Sequence, residues 1–157
     1  MKKRVSIITF CMLLSLLFPI CCIIKSVKFD QQCSGYIKQA ADANTPELAL
    51  ERINIAIDYI ERNGLTKGYT SVLWRTEDEN VGFWYRNIKA CQKELSDCIG
   101  GTQLEKSNVL MKAHEALTDD DGKPIAPPGI SRFPNNLFWG FWLTISFGSL
   151  LFLFIIL

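Results

Sequence analysis

The sequence predicts an all-α protein in which two apolar helices flank a four-helix, up-down-up-down bundle of helical hairpins. Three observations carry that reading. A charge-free apolar run lies near each end, at 5–24 and at 137–157. Apolar residues between them recur at helical spacing. Helix start and stop signals divide the middle at regular intervals.

The first run, Val5 to Ile24, follows the basic cluster Lys2, Lys3 and Arg4. It is about long enough to cross a ~30 Å hydrocarbon layer as a helix. A basic start and an apolar run also describe a secretory signal, but no A-x-A-like site follows and Ile20 precedes Cys21. The expectation is an uncleaved anchor; cleavage near Cys22 is the alternative. The second run, Leu137 to Leu157, opens on Phe138, Trp139, Phe141 and Trp142, an aromatic belt for a membrane interface. Gly140, Thr144 and Gly148 repeat every fourth residue, a spacing that lets helices approach closely in a membrane. The expectation is that the chain stops as this helix reaches the far interface. The bias of Lys and Arg toward the N-terminus puts both termini in the cytoplasm and the middle outside. The expected organisation is a cytoplasmic 1–4, a first span at 5–24, an extracytoplasmic bundle at 25–118, a Pro/Asp-rich linker at 119–136 and a second span at 137–157. The expected location is the cytoplasmic (inner) membrane.

Within the middle, Phe29, Cys33, Tyr36, Ile37 and Ala40 draw the stripe of a first helix. Thr45 and Pro46 cap and start a second, whose stripe is Ala49, Ile53, Ala56 and Ile60 and whose stop is Asn63-Gly64. Thr76 with Glu79 forms a capping box for a third, with Val81, Trp84, Ile88, Cys91, Leu95 and Cys98 at heptad spacing. Thr102 with Glu105 caps a fourth, carrying Leu104, Leu110, Ala113 and Leu117. A single helix bent through Gly100-Gly101 competes with the last division. Short connections make neighbours antiparallel. The linker, with three adjacent aspartates and repeated prolines, reads as a solvated spacer, and Asp119-Asp120-Asp121-Gly122 lacks the ligand spacing of an EF-hand.

The chain carries 17 Lys and Arg; without the three at the N-terminus, 14 remain against 16 Asp and Glu, so the middle is slightly acidic. No basic stripe suits nucleic acid. There is 1 histidine, His114, and no nucleophile motif, phosphate-cradling glycine loop, H-E-x-x-H or C-x-x-C accompanies it. No catalytic, cofactor-binding or metal-binding residue is expected, no cofactor and no small-molecule substrate. Outside the spans lie Cys33, Cys91 and Cys98. Cys91 and Cys98 are ~10 Å apart along one helix axis, beyond disulfide reach, so a disulfide would join Cys33 to Cys91 or to Cys98. Three small core residues are the other reading. Tyr69, Trp74, Phe83 and Tyr85 gather around Trp84, too many for one seam, and exposed aromatics are the residue types that anchor interfaces.

The stretches QAADANTPELA, GYTSVLW and EDENVGFWYRN resemble a pattern in bacterial membrane-anchored or secreted helical proteins to which no activity attaches. Two spans around an outer bundle also resemble the sensor half of bacterial chemoreceptors, here without a cytoplasmic signalling domain. The functional expectation is a non-enzymatic, membrane-anchored interaction module: a subunit, adaptor or inhibitor, of which an immunity protein is one version. Its partners would be membrane lipid and a protein or a second copy. A small homo-oligomeric pore is the alternative.

Overall fold

The computed structural model describes the backbone of residues 2–156 and the side chains of all of these except 2–8, 11, 12, 14, 150 and 153–156. The basic cluster Lys2, Lys3 and Arg4, on which the expected orientation rests, and the chain's last residue lie outside those described side chains.

Helix α1 spans Lys2–Phe29. It does not end where the bundle begins. A π-helical turn, Asp30–Ser34, carries it into α2, Gly35–Ala41, with Phe29, Ser34 and Gly35 all in the right-handed helical region. A Cβ at position 35 would meet the Asp30 carbonyl oxygen at 2.9 Å, so the extra residue of the π turn is accommodated by glycine. The first bundle helix is thus the continuation of the apolar one.

The second expected helix is α3, Pro46–Arg62, capped by Thr45, whose side chain accepts from the Leu48 amide. Its stop follows the physics of the C′ glycine: Gly64 takes φ 69°, and the Leu65 amide donates to the Ile60 carbonyl at 2.9 Å. The third helix starts later than its capping box suggests. Thr76 and Glu79 do form that box, but it closes a 3-10 turn, Glu77–Glu79. Asn80 then caps α4, Val81–Asp97, its side chain accepting from the Phe83 amide at 2.9 Å. Thr102 and Glu105 box the start of α5, Gln103–Leu117, so Gly100-Gly101 separates two helices.

α2 packs on α3, α3 on α4, α4 on α5, and α5 closes back on α2. The enclosed core contains Cys33, Ile37, Ala49, Ile53, Ile60, Ile88 and Leu95, each buried. The expected stripes of α3 and α4 are the ones that face inward. α5 contributes less: Ala113 and Leu117 are buried but Leu104 is 71% exposed. In that first turn the ion pair of Lys106 with Glu47 at 3.2 Å occupies the side toward α3.

The linker is folded against the bundle rather than extended in solvent. Asp119 Oδ1 accepts from the amides of Asp121 and Lys123, and the Ile125 amide donates to the Leu117 carbonyl. Trp84 Nε1 donates to the Ile125 carbonyl at 2.7 Å, and Ile130 is buried. Helix α6, Asn136–Ile156, then runs along α1.

The membrane-spanning assignment is corrected. Among the described residues no helix is long and apolar enough to cross a membrane, and the two-span inner-membrane location with both termini cytoplasmic is withdrawn with it. The described side chains give the reason. Those of α1 include Lys25 and Lys28 in its last turns and Pro19 inside it. Those of α6 include Asn136, Thr144, Ser146 and Ser149 among its apolar residues.

Candidate functional site

Among the concave features at the surface of the described residues, two depend on segments that the sequence pattern marks as connectors. The first is a groove of about 880 Å³ between the start of α4 and the folded linker. Trp84 and Ile88 on one side and Leu117, Ile125 and Ala126 on the other make its apolar lining. Phe83 stands on it 53% exposed, whereas Trp84 is 6% exposed. Neighbouring helical residues point ~100° apart, so burying Trp84 in the seam turns Phe83 outward. Glu77, Asp78 and Asp119 line the same groove.

The other expected interface aromatics are placed differently. Tyr85 is half-buried and its hydroxyl donates to Glu61 Oε1 at 2.6 Å. Tyr69 lies on the connector, where its hydroxyl accepts from Asn80 Nδ2 and its ring carries the Arg75 guanidinium 5.2 Å from its centroid. Trp74, with Leu73, forms an exposed tip; both are 79% exposed. That tip exists because the connector doubles back, the Thr70 amide donating to Glu79 and the Val81 amide to Gly68. Only Phe83 of the four lines the groove, so the structure does not bring them into one patch.

The second feature is a cavity of about 300 Å³ where the connector, the end of the linker and α6 meet. Thr70, Glu79, Arg132 and Asn136 supply its polar lining, and Phe18 and Trp139 its aromatic lining. Asn136 Nδ2 donates to the Thr70 carbonyl. Thr70 Oγ1 and Asn136 Oδ1 are buried without a hydrogen-bond partner. Gly129, at φ 74°, lets the chain turn so that the Arg132 guanidinium lies close against it. Thr70 and Asn136 are 66 residues apart, and no motif joins them. Sequence reasoning missed this site because a turn made by Gly129 and a doubled-back connector have no periodicity to read.

The candidate disulfide of Cys33 with Cys91 or Cys98 is not formed, and the other reading, three small core residues, is the one that fits. Cys33, Cys91 and Cys98 are free and buried. Burial pushes the Cys33 thiol up to about 12, and Cys91 up to about 11 with Glu94 adding to the effect. Cys33 and Cys91 therefore stay protonated at neutral pH, and the thiolate that attacks a disulfide is scarce there. They serve as small core residues.

The aromatic belt is also reassigned. Trp139 is 7% exposed, and it stacks on Trp142 at 5.6 Å with Phe18 of α1 at 6.0 Å from each. These rings fill the α1–α6 seam, where aromatic pairs gain beyond their buried area. Phe138 and Phe141 face outward. Gly140 and Gly148 would meet nothing on gaining a Cβ, and Thr144 is exposed with its hydroxyl on the Phe141 carbonyl. The small-residue stripe is therefore not the contact between α1 and α6. His114 is exposed on α5, its Nδ1 3.2 Å from the Ala41 carbonyl oxygen. Among the described residues no group of His, Cys, Asp and Glu could hold a metal ion.

No protein-family model, no curated protein and no solved structure matches this chain.

Proposed function

We propose that this protein is a non-enzymatic interaction module, presenting an up-down-up-down helical bundle whose docking surface is the groove at Phe83. The observation that carries this reading is an aromatic ring left 53% exposed on an apolar groove. Aromatic anchors of this kind, centred on a groove, supply a disproportionate share of binding energy at protein interfaces. A subunit, adaptor or inhibitor needs such a surface and no reacting groups. The three carboxylates along the groove favour a partner with a basic face.

Capture of the partner by the full chain tests the reading. Phe83→Ala should cost about 1–3 kcal/mol of binding and leave the thermal melt unchanged. Trp74→Ala, remote from the groove, should leave capture intact. If Phe83→Ala captures as well as the parent, the groove is not the docking surface.

A second reading, self-association, is favoured by the apolar outer faces of α1 and α6. Leu16, Ile20 and Ile23 on α1 and Phe141, Ile145 and Phe147 on α6 are all exposed. A helix that is apolar all round calls for further burial. The conducting form of that reading lacks a motive, because no described side chain at 9–24 or 137–149 is charged. Sedimentation of the full chain with Phe141→Asp against the parent would separate an assembly built on that face from a single copy.

A further inference from the structure

We infer that the Phe83 groove is one end of a longer cleft along the α4–α5 seam, and that this cleft takes a single basic amphipathic helix of a partner protein. The inference rests on the Phe83 docking surface and names the chemistry of what docks there.

The cleft is continuous. The Phe83 groove reaches Asn87 on α4 and Ala116 on α5. The same two residues line a hollow of about 290 Å³ that extends to Glu94 and Lys112. Glu94 and Lys112 in turn line a shallow depression of about 530 Å³ that ends at Gly100-Gly101. Each hollow shares two residues with the next, so together they follow α4, whose 17 residues span about 25 Å. The folded linker walls one end through Pro124 and Ile125. At the other end a Cβ on Gly100 would meet nothing, so the glycine turn leaves the cleft open.

The walls keep helical register. Phe83, Asn87, Ala90, Glu94 and Asp97 are exposed on α4, alternately four and three residues apart. Glu105, Val109, Lys112 and Ala116 line the cleft from α5 with the same alternation. That is the spacing at which one helix presents a seam to another. The stripe behind it, with Trp84, Ile88 and Cys91, is already buried in the bundle. Helix α4 therefore carries two seams, of which one is covered. Ala90, Ala113 and Ala116 lie midway along the cleft, and small side chains there let a third helix approach to ~8–10 Å between axes. A helix satisfies its own backbone hydrogen bonds. An extended peptide would need a strand edge, and the walls here are two helices and a proline-rich segment.

Charge selects the occupant. Glu77, Asp78 and Asp119 stand at the Phe83 end, and Glu94, Asp97 and Glu105 toward the glycine turn. Against these six carboxylates the cleft sets Lys112 alone. Glu77, Asp78, Glu94 and Asp97 form no ion pair among the described residues. An apolar floor with carboxylates toward both ends complements a helix that carries an apolar stripe and Lys or Arg toward both of its ends. An acidic helix would bring like charges together.

The test is fluorescence anisotropy of the full chain with a labelled synthetic helix of about 18 residues, Leu at heptad spacing and Lys elsewhere. It should bind at least tenfold more tightly than the same helix with Glu for Lys, and than a peptide of identical composition with Leu at alternate positions. Ala90→Arg, which fills the middle of the cleft, and Glu94→Lys should each weaken binding at least tenfold. Glu115→Lys, the same charge change at an exposed residue outside the cleft, should leave it intact. Far-UV circular dichroism should be unchanged in all three. If Phe83→Ala alone weakens binding, the docking reading stands and the helix inference falls. If neither Phe83→Ala nor the cleft substitutions weaken it, both fall. Equal binding of the three peptides, or equal loss in Glu115→Lys, would reduce the effect to bulk charge and overturn the inference. So would failure of the peptide to bind while Glu94→Lys disperses a self-associated chain in sedimentation, which would assign the cleft to a second copy.

Discussion

The bundle and the α1–α6 pair are both helical and both rich in apolar residues, yet they use those residues in different ways. In α3 and α4 the apolar positions occupy one face, and that face is buried: Ile53, Ile60, Ile88 and Leu95 are each no more than 2% exposed. Their outer faces carry salt bridges such as Lys89 with Glu61. In α1 and α6 the apolar residues run all the way round. One seam, Phe18 with Trp139 and Trp142, is covered, while Leu13, Leu16, Phe141 and Phe147 remain exposed. A stripe has a partner inside the chain; a fully apolar cylinder has more surface than one neighbouring helix can cover. Stability should accordingly be concentrated in the bundle.

The strongest way to break this contrast is to place a charge in the bundle seam. Ile53→Asp or Leu95→Asp buries an unpaired carboxylate, which costs several kcal/mol, about the whole stability of a small domain. Circular dichroism should lose its cooperative melt. The equivalent change on an outer face of the pair, Phe141→Asp, should leave the bundle's melt in place. If both substitutions act alike, the two regions form one cooperative unit.

Trp84→Ala comes next. It removes a buried indole from the core and its bond to the Ile125 carbonyl, at an expected cost of about 3–5 kcal/mol. Hydrogen exchange should quicken at the linker as well as in α4, because the same ring holds both. Trp139→Ala opens only the α1–α6 seam. It should quicken exchange in those two helices and leave α3 and α4 protected; loss of protection in α4 would show that the seam supports the bundle.

Cys33 and Cys91 sharpen the comparison without altering packing. Buried and protonated, they should resist iodoacetamide at pH 8 until the bundle unfolds. Prompt labelling of either at low denaturant would show that the core opens locally.

The smallest effect expected is electrostatic. The Thr102 amide, then the Thr102 hydroxyl, hold the Glu105 carboxyl below its ordinary 4.5. A carboxyl lowered on folding contributes stability above its unfolded value and loses it as pH falls through the folded one. Glu105→Gln should therefore flatten slightly the fall in melting temperature below about pH 4.5, while behaviour at neutral pH changes little. A steeper fall in the variant would contradict the sign. Glu105 is fully exposed, so the difference will be small.

The sequence by itself determined the helices whose signals are local. Thr45-Pro46, Asn63-Gly64 and Thr102 with Glu105 each act within a few residues, so α3 and α5 begin, and α3 ends, where those residues say. The stripes of α3 and α4 named their own core positions, and the outward turn of Phe83 followed from 3.6 residues per turn. Tertiary structure decided what depends on distant partners. α1 passes into α2 because Gly35 admits a π turn, α4 starts at Asn80 because the connector pairs back onto Glu79 and Val81, and the proline-rich linker stays on the bundle because Trp84 reaches Ile125. The Arg132 cavity belongs to the same class. Its lining comes from residues 18, 70, 79, 132, 136 and 139; periodicity and capping reach only a turn or two along the chain, so only the packed chain brings those side chains around one space.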